Sequence, residues 1–174
     1  MKKTLTLLLC GIIVSLGISL ISCGFWRGDV VLVENYASVD DLIKDSPIIV
    51  IGVVDNKTED ITYGEVDFRL TQFKVETAVR GTVTDTINIF QTKIDQDPAL
   101  QKGKRMILFL VKYEGPVTDN AYRIKGLYMG QYKIEGTRVI KNKDNKLTGS
   151  EVLDSLDALI ARINTVDYAP QNSN

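Results

Sequence analysis

The chain contains no histidine, and this absence removes more chemistry than any motif in it adds. Serine–histidine triads and cysteine–histidine dyads need an imidazole base. Histidine-ligated zinc needs the same ring nitrogen. Cysteine is nearly as scarce: Cys10 and Cys23 are the only two, too few for a thiolate metal cluster or a disulfide-dense scaffold. No glycine-rich phosphate loop of the form G-x-G-x-x-G or G-x-x-x-x-G-K-[ST] is present. The 21 basic and 22 acidic residues nearly balance, which argues against the concentrated basic face that nucleic acid requires. Oxygen-ligand calcium sites and paired-carboxylate glycoside hydrolysis survive this elimination, but no pattern points to either. Asp95-Gln96-Asp97 lacks the glycine and glutamate that would complete a calcium loop, so these read as solvated loop acids. Asn56-Lys57-Thr58 matches a glycosylation sequon and reads as an ordinary turn. No catalytic, cofactor-binding or metal-ligating residue is assigned, and no cofactor is expected.

What the chain does have is a basic start, Lys2-Lys3, followed by an apolar run that closes on Leu20-Ile21-Ser22-Cys23. This segment resembles the signal and lipobox of a bacterial lipoprotein. The resemblance implies a signal peptide over 1–22 and lipid attachment at Cys23, whose thiol would carry diacylglycerol through a thioether. The alternative is an uncleaved anchor, since Thr4 to Ser22 nearly reaches the roughly 17–25 residues that span a bilayer. Either way, two lysines at the start and none in the run favour a cytoplasmic N-terminus and an exported body. The expected location is the cell membrane, lipid-anchored on the extracytoplasmic side. Removing the first 22 of 174 residues leaves 152, one ordinary domain. It also takes two lysines and no acid, so 19 basic residues face 22 acidic ones, a net charge of −3. Cys10 would leave with the signal and Cys23 would be occupied, so no disulfide is expected.

Residues 23–37 read as a membrane-proximal segment, with Phe25 and Trp26 beside the anchor and a short strand at Val30–Val33. Ser38 caps a short helix over 39–45, stopped by Ser46-Pro47. The β-branched run Ile48–Val54 is long, apolar and therefore buried on both faces, with Gly52 marking a bulge or bend. A polar turn is expected at 55–60. Val66, Phe68 and Leu70 then share one strand face, whereas Phe73 and Val75 share the other, a phase slip that suggests a second bulge. Strands follow at 87–91, 105–112, 121–125, 132–134 and 138–140, with a helical turn expected at 97–101. Ser150 is expected to cap a helix over 151–164, whose Val152, Leu153, Leu156, Leu159, Ile160 and Ile163 form one stripe packed on the sheet. The tail 167–174 reads as disordered. Many short strands with local turns predict a mainly β fold: a small closed antiparallel OB-like barrel over 38–166, with a short N-terminal helix and an amphipathic C-terminal helix.

The order of elements resembles the netrin-like domains related to tissue inhibitors of metalloproteinases, which have OB-like barrels. The residues that carry the resemblance are Ser46-Pro47-Ile48-Ile49-Val50-Ile51-Gly52-Val53-Val54, Phe73-Lys74-Val75-Glu76 leading to Val79-Arg80-Gly81, and Gly103-Lys104-Arg105-Met106-Ile107-Leu108-Phe109-Leu110. The family's disulfide cysteines are missing. Its inhibitors chelate a protease zinc through a free N-terminal cysteine. Cys23 holds that place only superficially, because a lipid-alkylated thiol at the membrane could not enter a protease cleft.

The function expected is therefore non-catalytic: a surface-exposed binding module that uses loops 55–65, 92–104 and 113–121 to hold an envelope protein, peptide or wall ligand. Tyr113, Tyr122, Tyr128 and Tyr132 could supply contacts, although packing within the fold is the simpler role for each. Two alternatives are an assembly lipoprotein that presents its C-terminal helix to a membrane complex, favoured if that helix exposes an apolar stripe, and a carboxylate-dependent hydrolase, which needs two acids facing each other in a cleft.

Overall fold

The computed structural model describes residues 34–149 and 155–170. The signal segment, Cys23, Phe25, Trp26, the expected strand Val30–Val33, Ser150, Val152, Leu153 and residues 171–174 lie outside the described residues. Among the described residues, no helix is long and apolar enough to cross a membrane.

Helix α1, Val39–Asp45, starts where Ser38 Oγ accepts from the Asp41 amide at 3.1 Å. Seven strands follow: β1 Ile48–Tyr63, β2 Val66–Arg80, β3 Thr86–Thr92, β4 Arg105–Lys112, β5 Ala121–Ile124, β6 Gln131–Glu135 and β7 Arg138–Ile140. A 3-10 turn at Leu127–Gly130 precedes β6, and helix α2, Leu156–Thr165, closes the described chain. The fold is mainly β. β1 pairs antiparallel with β2 and β4, β2 with β3, and β4 with β5, and a parallel β3–β5 pair completes a ring of five strands. The opposite edge of β4 is shared, its C-terminal half pairing β5 and its N-terminal half β6, which carries β7 outward.

The expected antiparallel sheet is thus corrected at one place, for a geometric reason. Strand directions that alternate from neighbour to neighbour cannot close a ring with an odd number of members. One pair must run parallel, and it falls between β3 and β5 because β4 lies between them in the sequence.

Two cores explain the two fully apolar strands. Inside the ring sit Val50, Val54, Phe73, Ile87, Ile89, Met106, Leu108, Leu110 and Ile124, with Leu100 reaching in from the β3–β4 loop. Outside it, Ile49 and Ile51 of β1 and Ile107 and Phe109 of β4 pack with Tyr132, with Leu42 and Ile43 of α1 and with Leu159 and Ile163 of α2. Both faces of β1 and β4 are therefore covered, and both read as continuous hydrophobic runs. Gly52 marks a register shift as expected. A Cβ there would lie 2.0 Å from the Lys74 carbonyl oxygen, so only glycine lets β2 approach.

Several local expectations are corrected. Residues 55–60 are strand: β1 runs on to Tyr63, the turn is at Gly64-Glu65, and Asp55–Lys57 form a bulge in β1 where Val54 pairs Phe73 and Thr58 pairs Thr71. β2 itself pairs β3 without a break from Phe68 to Lys74, so the apolar phase slip is a change of buried face and not a bulge of β2. No helical turn forms at 97–101, where the Pro98 carbonyl accepts side-chain bonds from Gln91 and Gln131 instead. Helix α2 as described, Leu156–Thr165, is capped by Ser155, whose Oγ accepts from the Ala158 amide, while the expected start at Ser150 lies outside the described residues. The Leu156 amide, left without an intrahelical partner, donates to the Thr137 carbonyl in the β6–β7 turn at 2.8 Å. The tail is docked at least as far as Ala169, whose amide donates to the Lys44 carbonyl at 2.9 Å.

Arg80 joins the helices to the sheet. Its guanidinium donates to the Ile43 carbonyl (2.5 Å) at the C-terminus of α1 and to the Ile163 (2.7 Å) and Val166 (2.5 Å) carbonyls at the C-terminus of α2. These are carbonyls a helix cannot satisfy internally, at the end where its dipole attracts a cation.

Candidate binding face

Among the described residues, the helices cover one side of the ring and leave the other open. The outer core takes Val79 alone from β2 and nothing from β3. On that open side, pairing brings Leu70 opposite Phe90 and Phe68 opposite Thr92, so residues 68 and 70 of β2 share a face with 90 of β3. Phe68 stacks on Phe90 with ring centroids 4.8 Å apart and planes 22° off parallel. Tyr113, in the β4–β5 loop, lies on Phe90 at 4.3 Å and 37°. Phe90 is buried between its two neighbours, which are half-buried, as is Leu70. The result is a three-ring row on a sheet face, with outer members available to solvent.

The row runs into the loop 113–120. There Lys112, Tyr113, Glu114, Thr118, Asp119 and Asn120 surround a depression of about 360 Å³. A Cβ on Gly115 would meet the Tyr113 hydroxyl at 2.3 Å, so glycine allows the loop to close over the ring edge. The site thus combines a flat apolar platform with hydroxyl, amide, amine and carboxylate groups. Glu114 and Asp119 are both exposed, whereas glycoside hydrolysis needs one of its acids held in a desolvated setting.

Of the four tyrosines singled out from the sequence, only Tyr113 joins this face. Tyr122 packs against the inner core, Tyr128 against the outer core, and Tyr132 is fully buried, its hydroxyl accepting from the Asn145 amide at 3.1 Å. Burial raises the Tyr132 phenol above its ordinary value. The loops separate similarly: 113–121 adjoins the platform and 55–65 is mostly strand. Loop 92–104 is fastened by Asp97, which is 4% exposed and accepts from Gln91 Nε2 and the Thr92 amide, both at 2.8 Å. Asp97 is therefore not the solvated loop acid its sequence suggests, and burial pushes its carboxyl above the usual range.

Phe68 and Phe90 were not singled out by sequence reasoning, although a signal was present. An apolar pair out of phase with Phe73 on an unbroken strand means that both faces of β2 bury aromatic surface. Also missed was an ionic cluster behind α1. Glu34 accepts from Arg123 (2.7 Å) and Lys125 (2.8 Å), Lys125 reaches Asp45 at 2.7 Å, and the Tyr36 hydroxyl donates to Asp45 at 2.5 Å. Burial alone would raise the Glu34 carboxyl, but the bond from Lys125 and the charge of Arg123 outweigh it and hold the group low. Burial and the bond to Asp45 push the Tyr36 phenol far up. The packed domain therefore begins no later than Glu34, inside the segment read as membrane-proximal.

Among the described residues, no cluster of three or more histidine, cysteine, aspartate or glutamate side chains could hold a metal ion. No protein-family model matches the chain, and no curated protein is significantly similar to it.

Proposed function

We propose that this protein is a lipid-anchored, non-catalytic binding module on the extracytoplasmic face of a membrane, and that its ligand lies on the β2–β3 platform. The observation that carries the reading is the Phe68–Phe90–Tyr113 row, open on the side of the ring that neither helix covers. The five-strand ring supports describing the fold as a closed OB-like barrel, a framework whose β2–β3 face and adjoining loops commonly bind polymers. A row of rings beside hydroxyl, amide and carboxylate groups suits a ligand with flat apolar faces and hydrogen-bonding edges, as in a wall polysaccharide or an extended peptide. Attachment through Cys23 rests on the lipobox, and the netrin-like resemblance rests on the order of elements. Among the described residues, the stripe of the C-terminal helix does not favour the helix-presenting alternative, because Leu159 and Ile163 are buried and Leu156 and Ile160 pack against the same core.

The test is photo-crosslinking on intact cells, with the crosslinking residue at position 113 and, as a control, at Lys143, which is exposed outside the platform. A product formed from 113, not from 143, and lost in the Phe68→Ala variant supports the reading. Equal products from both positions, or none from 113, defeat it. The anchor is tested separately: Cys23→Ser should abolish incorporation of labelled fatty acid and release the protein from membranes.

A further inference from the structure

We infer that the protein carries a second, independent site, a pocket for a small organic carboxylate between the β3–β4 loop and the β6–β7 hairpin. A cavity of about 190 Å³ opens there. Pro98, Ala99, Met106 and Ile140 give it an apolar floor and wall. Gln101, Gln131 and Asn142 bring amide side chains to the lining and Lys104, Lys133 and Lys141 bring lysine side chains, of which Lys141 is already engaged, and among the described residues no carboxylate lines it. In a chain whose acids outnumber its bases, such a one-signed lining is a local arrangement and not a reflection of overall charge.

Two features argue that the pocket is built. The Lys104 backbone is fixed at the mouth of β4, where its carbonyl accepts from the Val54 amide at 3.0 Å and its amide donates to the Gln101 carbonyl at 3.1 Å, which sets where the exposed side chain leaves the sheet. Among the described residues its ammonium has no ion-pair or hydrogen-bond partner. Among the described residues Lys133 meets one acid, Glu135, at a long 3.6 Å, with the glutamate side largely in solvent, which screens the pair. The wall opposite is held from inside the protein. The Pro98 carbonyl accepts from Gln91 at 2.9 Å and from Gln131 at 3.3 Å, and Gln91 in turn is held by the buried Asp97. A buried carboxylate is costly to keep. Here its bonds fix the shape of the loop that forms the cavity wall, so the site is in place before any ligand arrives.

Size and chemistry define the ligand class. The volume is below the 300 Å³ or so of ordinary drug-sized pockets, and a cavity of about 150 Å³ accommodates a benzene-sized body. An apolar body of three to six carbons would lie on Met106 and Ile140, with its carboxylate between Lys104 and Lys133. Inorganic anions lack the body and neutral amides lack the charge.

Calorimetric titration of the full-length protein in detergent micelles, at low salt, tests this with butyrate, butyramide and inorganic phosphate as probes. Butyrate should bind saturably with a Kd of about 1–10 mM, in the range open to a six-atom ligand. Butyramide and phosphate should each bind at least about tenfold more weakly, and so should butyrate to the K104Q/K133Q double variant. Both lysines reach solvent and neither is in a core, so that variant should fold. Ala99→Leu, which fills the cavity, should abolish binding by a separate route, while Tyr113→Ala should leave it unchanged. Equal binding of butyrate and butyramide, equal binding of butyrate and phosphate, retention in either pocket variant, or no saturable binding would each overturn the assignment.

Discussion

Replacing Arg80 by methionine should destabilise the domain by about 3–5 kcal/mol, although the residue belongs to neither core. Methionine keeps the apolar stem and removes only the guanidinium. That group makes three short bonds, to the carbonyls of Ile43, Ile163 and Val166; the fourth contact, to Ser46 at 3.5 Å, is too long to count. A bond from a charged donor contributes about 1.5–3 kcal/mol in a dry setting. Arg80 is half-buried, so water would recover part of the loss and the low end applies. Three bonds at roughly 1 kcal/mol each after that recovery, with roughly 0.3–1 kcal/mol for each of the two helix termini that loses its cation, fall within the quoted range. Urea denaturation followed by circular dichroism reads the effect. With a slope of about 2 kcal/mol per molar, the midpoint should fall by about 2 M. Arg80→Lys provides the sharper comparison, because a single ammonium cannot serve both helix ends at once and should restore no more than about half. An Arg80→Met variant within about 1 kcal/mol of the parent, or a lysine variant equal to it, would refute the view that one fork fastens both helices.

Gly52→Ala should cost more than about 3 kcal/mol or prevent folding, because its methyl would meet backbone at 2.0 Å; a thermal melt within a few degrees of the parent would contradict the close approach. The Glu34 carboxyl is held low when folded, so its contribution is present above the unfolded value and is lost as pH falls through the folded one. Melts between about pH 6 and 3 should show a shallower loss of stability in Glu34→Gln than in the parent, and parallel curves would count against the Lys125 and Arg123 pairing. Asp97 has the opposite sign: its folded value is raised, so its contribution is full below the unfolded value and declines as pH rises through the folded one. Asp97→Ala should cost about 1–3 kcal/mol and make loop 92–104 the first site of limited proteolysis, whereas unchanged cleavage elsewhere would remove its fastening role.

How much of this could be read from the sequence varied with how local the cause was. The ends of α1, β4 and β7 are where capping residues, proline and apolar runs place them. The sequence marks β1 but ends it early, because Asp55–Asp60 has the composition of a turn; only pairing with β2 keeps those polar residues in a strand. For α2, Ser150 and Ser155 carry similar capping signals, and the Leu156–Thr137 contact belongs to the folded chain alone. Asp97 looked like a loop acid because burial of a carboxylate depends on Gln91, six residues away on a strand. The platform was half visible: Tyr113 could be named from composition, but Phe68, Phe90 and Tyr113 meet only once β2, β3 and the β4–β5 loop are folded together.

The sequence by itself determined the class of fold and most of its chemistry by exclusion, because residue types and short-range periodicity are local properties. Without histidine, histidine-based triads and dyads and histidine-ligated zinc are closed to this chain whatever shape it takes, and two cysteines are too few for a thiolate metal cluster. Tertiary structure decided which apolar face of each strand meets helix, ring interior or solvent. It also decided the parallel closure that an odd ring requires, the convergence of two helix ends on Arg80, and the lysine-lined pocket whose wall a buried aspartate holds. Each depends on residues tens of positions apart, and their spacing in the chain does not encode their distance in space.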